Sequence, residues 1–139
     1  MKTLILSILI LFAHSAWGGD WVVIVHPNSG VAQLSKGEVI NIFMGRYRKF
    51  PSGQSAIPLD VIYPVSGREH FYRDLLNKEL AEVDSYWARL KFSGQVSPPL
   101  VVESSDEAIK MVASNINYIA YCDKAKVTDK VKVVFDFNR

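Results

Sequence analysis

The chain has 139 residues, of which 49% are hydrophobic and 22% are charged, and its formal net charge is +2. This composition is typical of a folded globular protein and excludes a disordered tail, a collagen-like repeat and a low-complexity scaffold. The 16 basic residues are nearly balanced by 14 acidic ones. Because nucleic-acid binding usually leaves a strongly basic footprint, no nucleic-acid partner is expected.

Residues 1–18 have the pattern of an export signal. Lys2 is followed by the apolar run Leu4–Ala13, and the small residues Ala16 and Gly18 stand at the spacing typical of signal cleavage. The run is shorter than the roughly 20 apolar residues of a membrane-spanning helix. The sequence therefore predicts a signal peptide cleaved after Gly18 and a periplasmic protein without a transmembrane segment in its mature chain. An uncleaved N-terminal anchor is the alternative.

Residues 19–139 are predicted to form a single domain, which is the usual size for one hydrophobic core. Export removes one basic residue and no acidic one, so the formal charge falls from +2 to +1. The only cysteine, Cys122, cannot close an intrachain disulfide, and it follows the apolar stretch Ile119–Tyr121. We therefore expect a domain held together by its core, with Cys122 buried in it. An intermolecular disulfide is the alternative.

Hydrophobic periodicity predicts an alternation of strands and helices. Strands are indicated by β-branched apolar runs and helices by apolar residues spaced three and four apart, with Ser-x-x-Glu capping boxes at three helix starts. In chain order the predicted elements are a strand at 21–25, a helix from Ser35 to about Met44, a strand at 57–63, a helix opened by Ser66, a helix from Leu80 to about Ser93, a short strand or extended link at 100–102, a helix opened by Ser104, and strands at 116–121 and 131–135. This order predicts an α/β fold, with a mixed, mostly parallel sheet flanked by helices.

Val65–Arg68, at a strand-to-helix junction, is the segment best suited to bind an anion. The first N–H groups of a helix lack backbone partners and carry about half a positive charge. Gly67 allows a ligand to approach the backbone, while Ser66 and Arg68 offer side-chain donors. The residues alone leave open an ordinary helix cap with a solvated arginine.

Three motifs resemble a known family. Leu34–Arg46 resembles the "L-S-x-x-E-V-x-x-I-F-x-G-K" stretch of phosphate-binding proteins of the type 2 periplasmic fold. Ser66–Phe71 resembles the family's "S-G-[TS]-x-x-x-F" phosphate loop, and Asn117–Tyr121 resembles its "G-A-I-G-Y-V" motif. The resemblance extends over residues 21–125 and implies a short, single-lobe relative of the substrate-binding component of phosphate ABC transporters.

The resemblance implies a non-catalytic protein that binds inorganic phosphate or another small anion. The ligand-binding residues that it implies are Ser66, Gly67 and Arg68, with further donors from Ser35, Ser29 and Gly30. Full-length members of the family have two lobes that close on the ligand, whereas this mature chain has residues for one. We therefore expect weak or partner-dependent anion binding.

A second hypothesis is an interaction or sensory module that kept the fold and lost the ligand. The basic loop containing Arg46, Arg48 and Lys49 would then dock an envelope protein or a second copy of the chain.

Enzymatic and metal functions are not expected. His70 follows Ser66 by four residues, but no G-x-S-x-G elbow surrounds the serine. His26, His70 and Cys122 lack any recognised metal-ligand spacing, and no nucleotide-cofactor motif occurs. The sequence therefore predicts no catalytic residues, no metal and no cofactor.

Overall fold

The structure is a computed structural model that describes residues 20–94 and 96–138. The predicted signal peptide lies outside these residues. Within the described ranges, no helix has both the length and the apolar character needed to cross a membrane.

The described residues form five strands and four α-helices in the predicted order. Each element follows from a local pattern of apolar residues, with β-branched runs in the strands and amphipathic spacing in the helices. The elements are β1 (Trp21–Val25), α1 (Lys36–Phe43), β2 (Ile57–Val61), α2 (Val65–Leu76), α3 (Leu80–Ser93), β3 (Leu100–Val102), α4 (Ser105–Ser114), β4 (Tyr118–Asp123), a 3-10 turn (Lys124–Lys126) and β5 (Lys132–Asp136).

The strands form one sheet in the order β3-β2-β4-β1-β5. β2 is parallel to β3 and β4, whereas β1 is antiparallel to β4 and β5. Four strands therefore run in one direction and β1 runs against them, which confirms the mixed, mostly parallel sheet. Trp21 at the start of β1 lies opposite Asp123 at the end of β4. At the two ends of the described chain, the Asn138 side-chain amide donates to Asp20 Oδ1 at 2.7 Å.

Helices cover both faces of this sheet. The connection from β2 to β3 carries α2 and α3, and the return from β3 to β4 carries α4, so right-handed crossovers place them on opposite faces. On the α2 face the rings of Phe71 and Tyr121 stack with centroids 3.8 Å apart, and Phe43 of α1 packs edge-on against Phe71. Each fully buried side chain of this size contributes about 1.5–3 kcal/mol through the hydrophobic effect.

Two of the three predicted capping boxes begin helices, and the third does not. The Ser35 hydroxyl accepts from the Glu38 N–H, and Glu38 accepts from the Ser35 N–H in return. Ser104 caps α4 by accepting from the Glu107 N–H. The prediction that Ser66 is an N-cap is wrong, because the N-cap of α2 is Pro64, two residues earlier, and α2 has no side-chain cap. Proline is tolerated there because the first N–H groups of a helix lack intrahelical partners in any case.

Cys122 is buried in β4, with 0% of its surface exposed. Burial, followed by the neighbouring charge of Asp123, raises the pKa of its thiol to about 12. Because the thiolate is the reactive form, we expect iodoacetamide to modify the folded protein far more slowly than the urea-unfolded protein. Mass spectrometry of timed samples measures this difference. Equal labelling rates for the two states would contradict the buried position.

Candidate functional site

A pocket of about 380 Å³ lies at the edge of the sheet where the parallel strands end. β2 and β3 lead there into α2 and α4, β4 ends there, and β1 begins there. In open α/β sheets, ligands bind at this edge where successive connections pass to opposite faces. The lining residues are Trp21, Tyr63, Pro64, Ser66, Gly67, His70, Ser104, Ser105, Asp106, Asp123 and Lys126.

The first turn of α2 forms one wall of this pocket. The carbonyl of Pro64 accepts from the N–H groups of Gly67 and Arg68, at 3.0 and 3.4 Å. The N–H groups of Val65 and Ser66 precede these bonds and are among those left without an intrahelical acceptor. Ser66 occupies the second position of α2 and is exposed. Its hydroxyl is therefore available to a ligand instead of capping the helix.

The first turn of α4 forms the facing wall. Its N-cap, Ser104, and the next residue, Ser105, both line the pocket. The Ser105 hydroxyl accepts from the N–H of Asp123 at 3.0 Å, which ties the start of α4 to the end of β4. Glu107 Oε2 accepts from the N–H of Glu103 at 2.7 Å and holds the preceding loop in place. The second helix start is therefore fixed by hydrogen bonds to its neighbours.

Gly67 is needed for packing against Trp21. A Cβ atom on Gly67 would lie 2.6 Å from Cη2 of the Trp21 indole and closer still to Cζ2. The backbone of α2 can therefore approach the start of β1 only when residue 67 lacks a side chain. The sequence interpretation held that Gly67 allows a ligand to approach the backbone, whereas the group that lies against Gly67 in the structure is the indole ring of Trp21.

Arg68 lies outside the pocket lining and is engaged in ion pairs. Its Nε donates to both carboxylate oxygens of Asp60, at 3.1 and 3.0 Å, and its Nη2 donates to Asp84 at 3.1 Å. The guanidinium also lies 5.4 Å from the centre of the Tyr72 ring. Burial by itself lowers the pKa of Arg68, but the carboxylates of Asp60 and Asp84 outweigh it and hold the pKa above its ordinary value. Its charge is therefore balanced within the protein.

Asp60 is the centre of this buried polar cluster. It is the only charged residue of β2, and 6% of its surface is exposed. The Tyr121 hydroxyl donates to the Asp60 carboxylate and lies 2.9 Å from the carbonyl oxygen of Val61. Burial, followed by the charge of Asp60, raises the pKa of both Tyr72 and Tyr121 well above the ordinary tyrosine value. Both phenols therefore stay neutral beside the carboxylate.

Three further residues predicted to bind the ligand lie away from this pocket. Ser29 and Gly30 follow the end of β1, at the opposite edge of the sheet, and the Ser29 hydroxyl accepts from the Val31 N–H at 3.3 Å. Ser35 lines a separate pocket of about 430 Å³ together with Lys124. Of the six predicted ligand residues, the structure brings Ser66 and Gly67 into the pocket between α2 and α4.

Charged residues of the pocket were missed from the sequence. They are Asp106, Asp123 and Lys126, which lie in the lining together with His70, a residue that the sequence analysis considered only as a catalytic or metal-binding group. Two signals pointed to them: the Ser104 capping box directly after a strand, and an acidic residue at the end of β4. Within residues 20–94 and 96–138, no three His, Cys, Asp or Glu side chains are grouped as metal ligands would be.

No protein-family model matches this sequence, and no curated protein matches it. The solved structures that match its fold include two phosphate transport proteins. One is an ABC-type phosphate transport receptor from Vibrio cholerae, with a TM-score of 0.62 and 15% identity, covering 84% of this chain and 45% of the receptor. The other, from Clostridium perfringens, is described as a phosphate ABC transporter substrate-binding protein with bound phosphate. It has a TM-score of 0.62 and 15% identity, and the match covers 84% of this chain and 44% of that protein. The chain thus spans less than half the length of these proteins, and it has the α/β fold of part of a periplasmic binding protein.

Proposed function

We propose that this chain is an exported, periplasmic, non-catalytic protein that binds phosphate or a phosphorylated small molecule in the pocket between α2 and α4. The observation that carries the proposal is the convergence of two helix N-termini on one pocket. Each N-terminus offers N–H groups without backbone partners and about half a positive charge, which is a favourable environment for an anion.

The similarity to two phosphate-binding structures supports this proposal at the level of the fold. In the proposed site the donors are the N–H groups of the two helix starts, the hydroxyl of Ser66 and the ammonium group of Lys126. Arg68 contributes no free charge, because Asp60 and Asp84 already balance it. We expect weak binding, because Ser66 and Lys126 of the lining are exposed to water.

The acidic residues of the lining favour an anion that still carries a proton. Asp106 and Asp123 both border the pocket. A carboxylate repels a fully ionised anion but accepts a hydrogen bond from an O–H group. Hydrogen phosphate offers that group near neutral pH, whereas sulfate and a fully ionised phosphate monoester do not. We therefore expect phosphate to bind more tightly than sulfate of the same charge.

Isothermal calorimetry tests the proposal with phosphate, sulfate and a nucleoside monophosphate. Ser66→Asp is the most informative variant, because a carboxylate at the second position of α2 stabilises the helix while repelling an anion. We expect Ser66→Asp and Lys126→Glu to weaken phosphate binding by at least about tenfold, which is the loss of one charge-assisted hydrogen bond.

Lys110→Glu is the matched control, because Lys110 is an exposed lysine of α4 that does not line the pocket. The phosphate affinity of Lys110→Glu is expected to stay within about twofold of that of the original protein, because salt and water screen a surface charge that lies away from the pocket. The proposal fails if the original protein gives no heat at millimolar phosphate, or if Ser66→Asp binds as well as the original protein.

A second candidate function is an interaction module that has lost its anion. It is favoured by two apolar side chains exposed where β2 passes into α2, Tyr63 at 59% and Val65 at 51%. The basic loop residues Arg46, Arg48 and Lys49 are also exposed. Under this hypothesis an envelope protein or a second chain would bind the Ser66→Asp variant and the original protein equally.

A further inference from the structure

A second pocket, of about 420 Å³, lies on α3 away from the anion site. It is bordered by the C-terminal ends of α1 and α2 and by the first three turns of α3, and it shares no residue with the pocket between α2 and α4. We call it the α3 groove. Its lining residues are Met44, Arg46, Leu76, Lys78, Ala81, Glu82, Val83, Ser85, Tyr86 and Arg89.

The α3 groove has an apolar base. Met44 and Val83 belong to the buried core, and Leu76 packs against that core. The Tyr86 hydroxyl donates to the carbonyl oxygen of Met44 at 2.8 Å. This bond turns the Tyr86 hydroxyl toward the end of α1. A ligand in the groove therefore meets mainly aliphatic and aromatic surface.

The rim of the α3 groove is positively charged. Lys78 forms an ion pair with Glu82 at 3.4 Å, so the charge of the single acidic residue of the lining is already balanced. Arg46 donates to the neutral Asn41 side chain at 3.4 Å. Neither Arg46 nor Arg89 forms an ion pair with another side chain in the described part of the chain. Both guanidinium groups are exposed to solvent and lack an ion-pair partner among the described residues, so an anionic ligand can bind them.

The groove residues of α3 follow one helical stripe. Glu82, Ser85 and Arg89 are spaced by three and four residues, so the stripe places Glu82, with Lys78 of the preceding loop, near one end and Arg89 near the other. An anionic headgroup near Arg89 leaves space for an apolar chain along the base of the groove. The volume falls within the ~300–1,000 Å³ that is usual for small-molecule sites.

We propose that the α3 groove binds a single-chain anionic amphiphile, with a carboxylate or phosphate headgroup held by Arg46 and Arg89 and a short alkyl chain lying on Met44, Leu76 and Val83. Two independent features favour the two parts of this ligand: guanidinium groups without an ion-pair partner for the head, and apolar side chains of the groove lining for the tail. The proposal does not depend on the function proposed for the pocket between α2 and α4.

Calorimetry with decanoate below its critical micelle concentration tests the proposal. Acetate supplies the head alone and decanol the tail alone. We expect one saturable decanoate site, and affinities at least about tenfold lower for acetate and decanol, because each lacks one of the two interactions.

Two exposed positions of α3 provide the variants. Arg89→Glu reverses one charge of the rim, and Ala81→Trp fills the groove with a large side chain; both residues are exposed on the helix, so the fold is expected to be retained. Arg89→Glu should lower the decanoate affinity by at least about tenfold, and Ala81→Trp should abolish it. Lys110→Glu on α4 changes the net charge equally and should leave it unchanged.

Four outcomes would overturn the proposal. They are the absence of decanoate binding to the original protein, equal binding by Ala81→Trp, equal weakening by Lys110→Glu and Arg89→Glu, and binding to anionic vesicles without binding to monomeric decanoate. The last result would assign the positive rim to a membrane surface instead of a ligand groove.

Discussion

Replacing Arg68 by alanine is expected to lower the free energy of unfolding by about 3–5 kcal/mol, the usual cost of removing one partner from a buried ion pair. The reason lies with Asp60, which is left in the core without its cation. Asp60 is almost completely buried, and Arg68 Nε contacts both of its carboxylate oxygens. The lost contact with Tyr72 adds to the effect. Urea unfolding followed by circular dichroism measures the change.

Arg73→Ala is the matched control for this prediction. Arg73 lies in the same helix and pairs with Glu79 at 3.2 Å, but both side chains are largely exposed. An exposed ion pair contributes little because water screens it, so Arg73→Ala should change the unfolding free energy far less than Arg68→Ala does. Equal effects of Arg68→Ala and Arg73→Ala would contradict a structural role for Arg68.

A paired substitution separates the ion pair from the packing of the same side chains. Asp60→Asn with Arg68→Gln removes both charges of the central pair. We expect it to cost less than Arg68→Ala alone, because no unpaired charge remains in the core. If this doubly substituted protein also keeps its phosphate affinity, Arg68 does not bind the anion, in agreement with its position outside the pocket lining.

Gly67→Ala is expected to lower the free energy of unfolding by about 1–3 kcal/mol or more, the usual cost of overpacking a core. The added methyl group would overlap the six-membered ring of the Trp21 indole. Trp21 is 5% exposed in the strand β1, so neither the ring nor the helix backbone moves away freely. Thermal and urea unfolding both measure this loss.

Gly37→Ala is the matched control, since Gly37 also lies in the first turn of a helix. Its nearest neighbour would be the Ser35 hydroxyl at 4.0 Å, an ordinary contact. We expect this substitution to be neutral or to stabilise by roughly 0.5–1 kcal/mol, because alanine favours the helix. Combining Gly67→Ala with Trp21→Leu should recover part of the lost stability. No recovery would mean that the two residues are not in conflict.

The order of the strands and helices could be predicted because the signals for it are local. β1 is a continuous apolar run, and α1 begins with a complete capping box of Ser35 and Glu38. The predicted start of α2 was wrong because Ser66 and Glu69 have the spacing of a capping box, whereas the N-cap of the helix is the preceding Pro64. A spacing rule cannot decide between these starts, since the choice depends on where β2 ends.

The role of Arg68 was missed because its partners come from other elements. Asp60 lies on β2 and Asp84 on α3. One signal was available: Asp60 is a charged residue inside an apolar strand, and buried charges are normally paired. The nearby arginine was the obvious partner, and this pairing competes directly with a ligand role.

The composition of the candidate site could be predicted only in part. Ser66 and Gly67 were found because they lie at a helix start directly after a strand. The contribution of α4 and Asp123 depends on β4 lying between β2 and β1, and hydrophobic patterns do not encode the order of strands in a sheet. Ser29, Gly30 and Ser35 were assigned from their residue types, but β1 runs against the other strands and carries Ser29 and Gly30 to the far edge.

The hydrogen bond between Asn138 and Asp20 has a practical consequence for tethering. Both residues lie beside Trp21, at the edge that bears the candidate anion site. A partner fused to either residue is therefore held near the pocket at high effective concentration. A short linker between residues 138 and 20 would also make the chain circular, and the entropic cost of closing so short a loop is small. New termini opened in the loop after α1 would then leave the pocket mouth clear for a second domain.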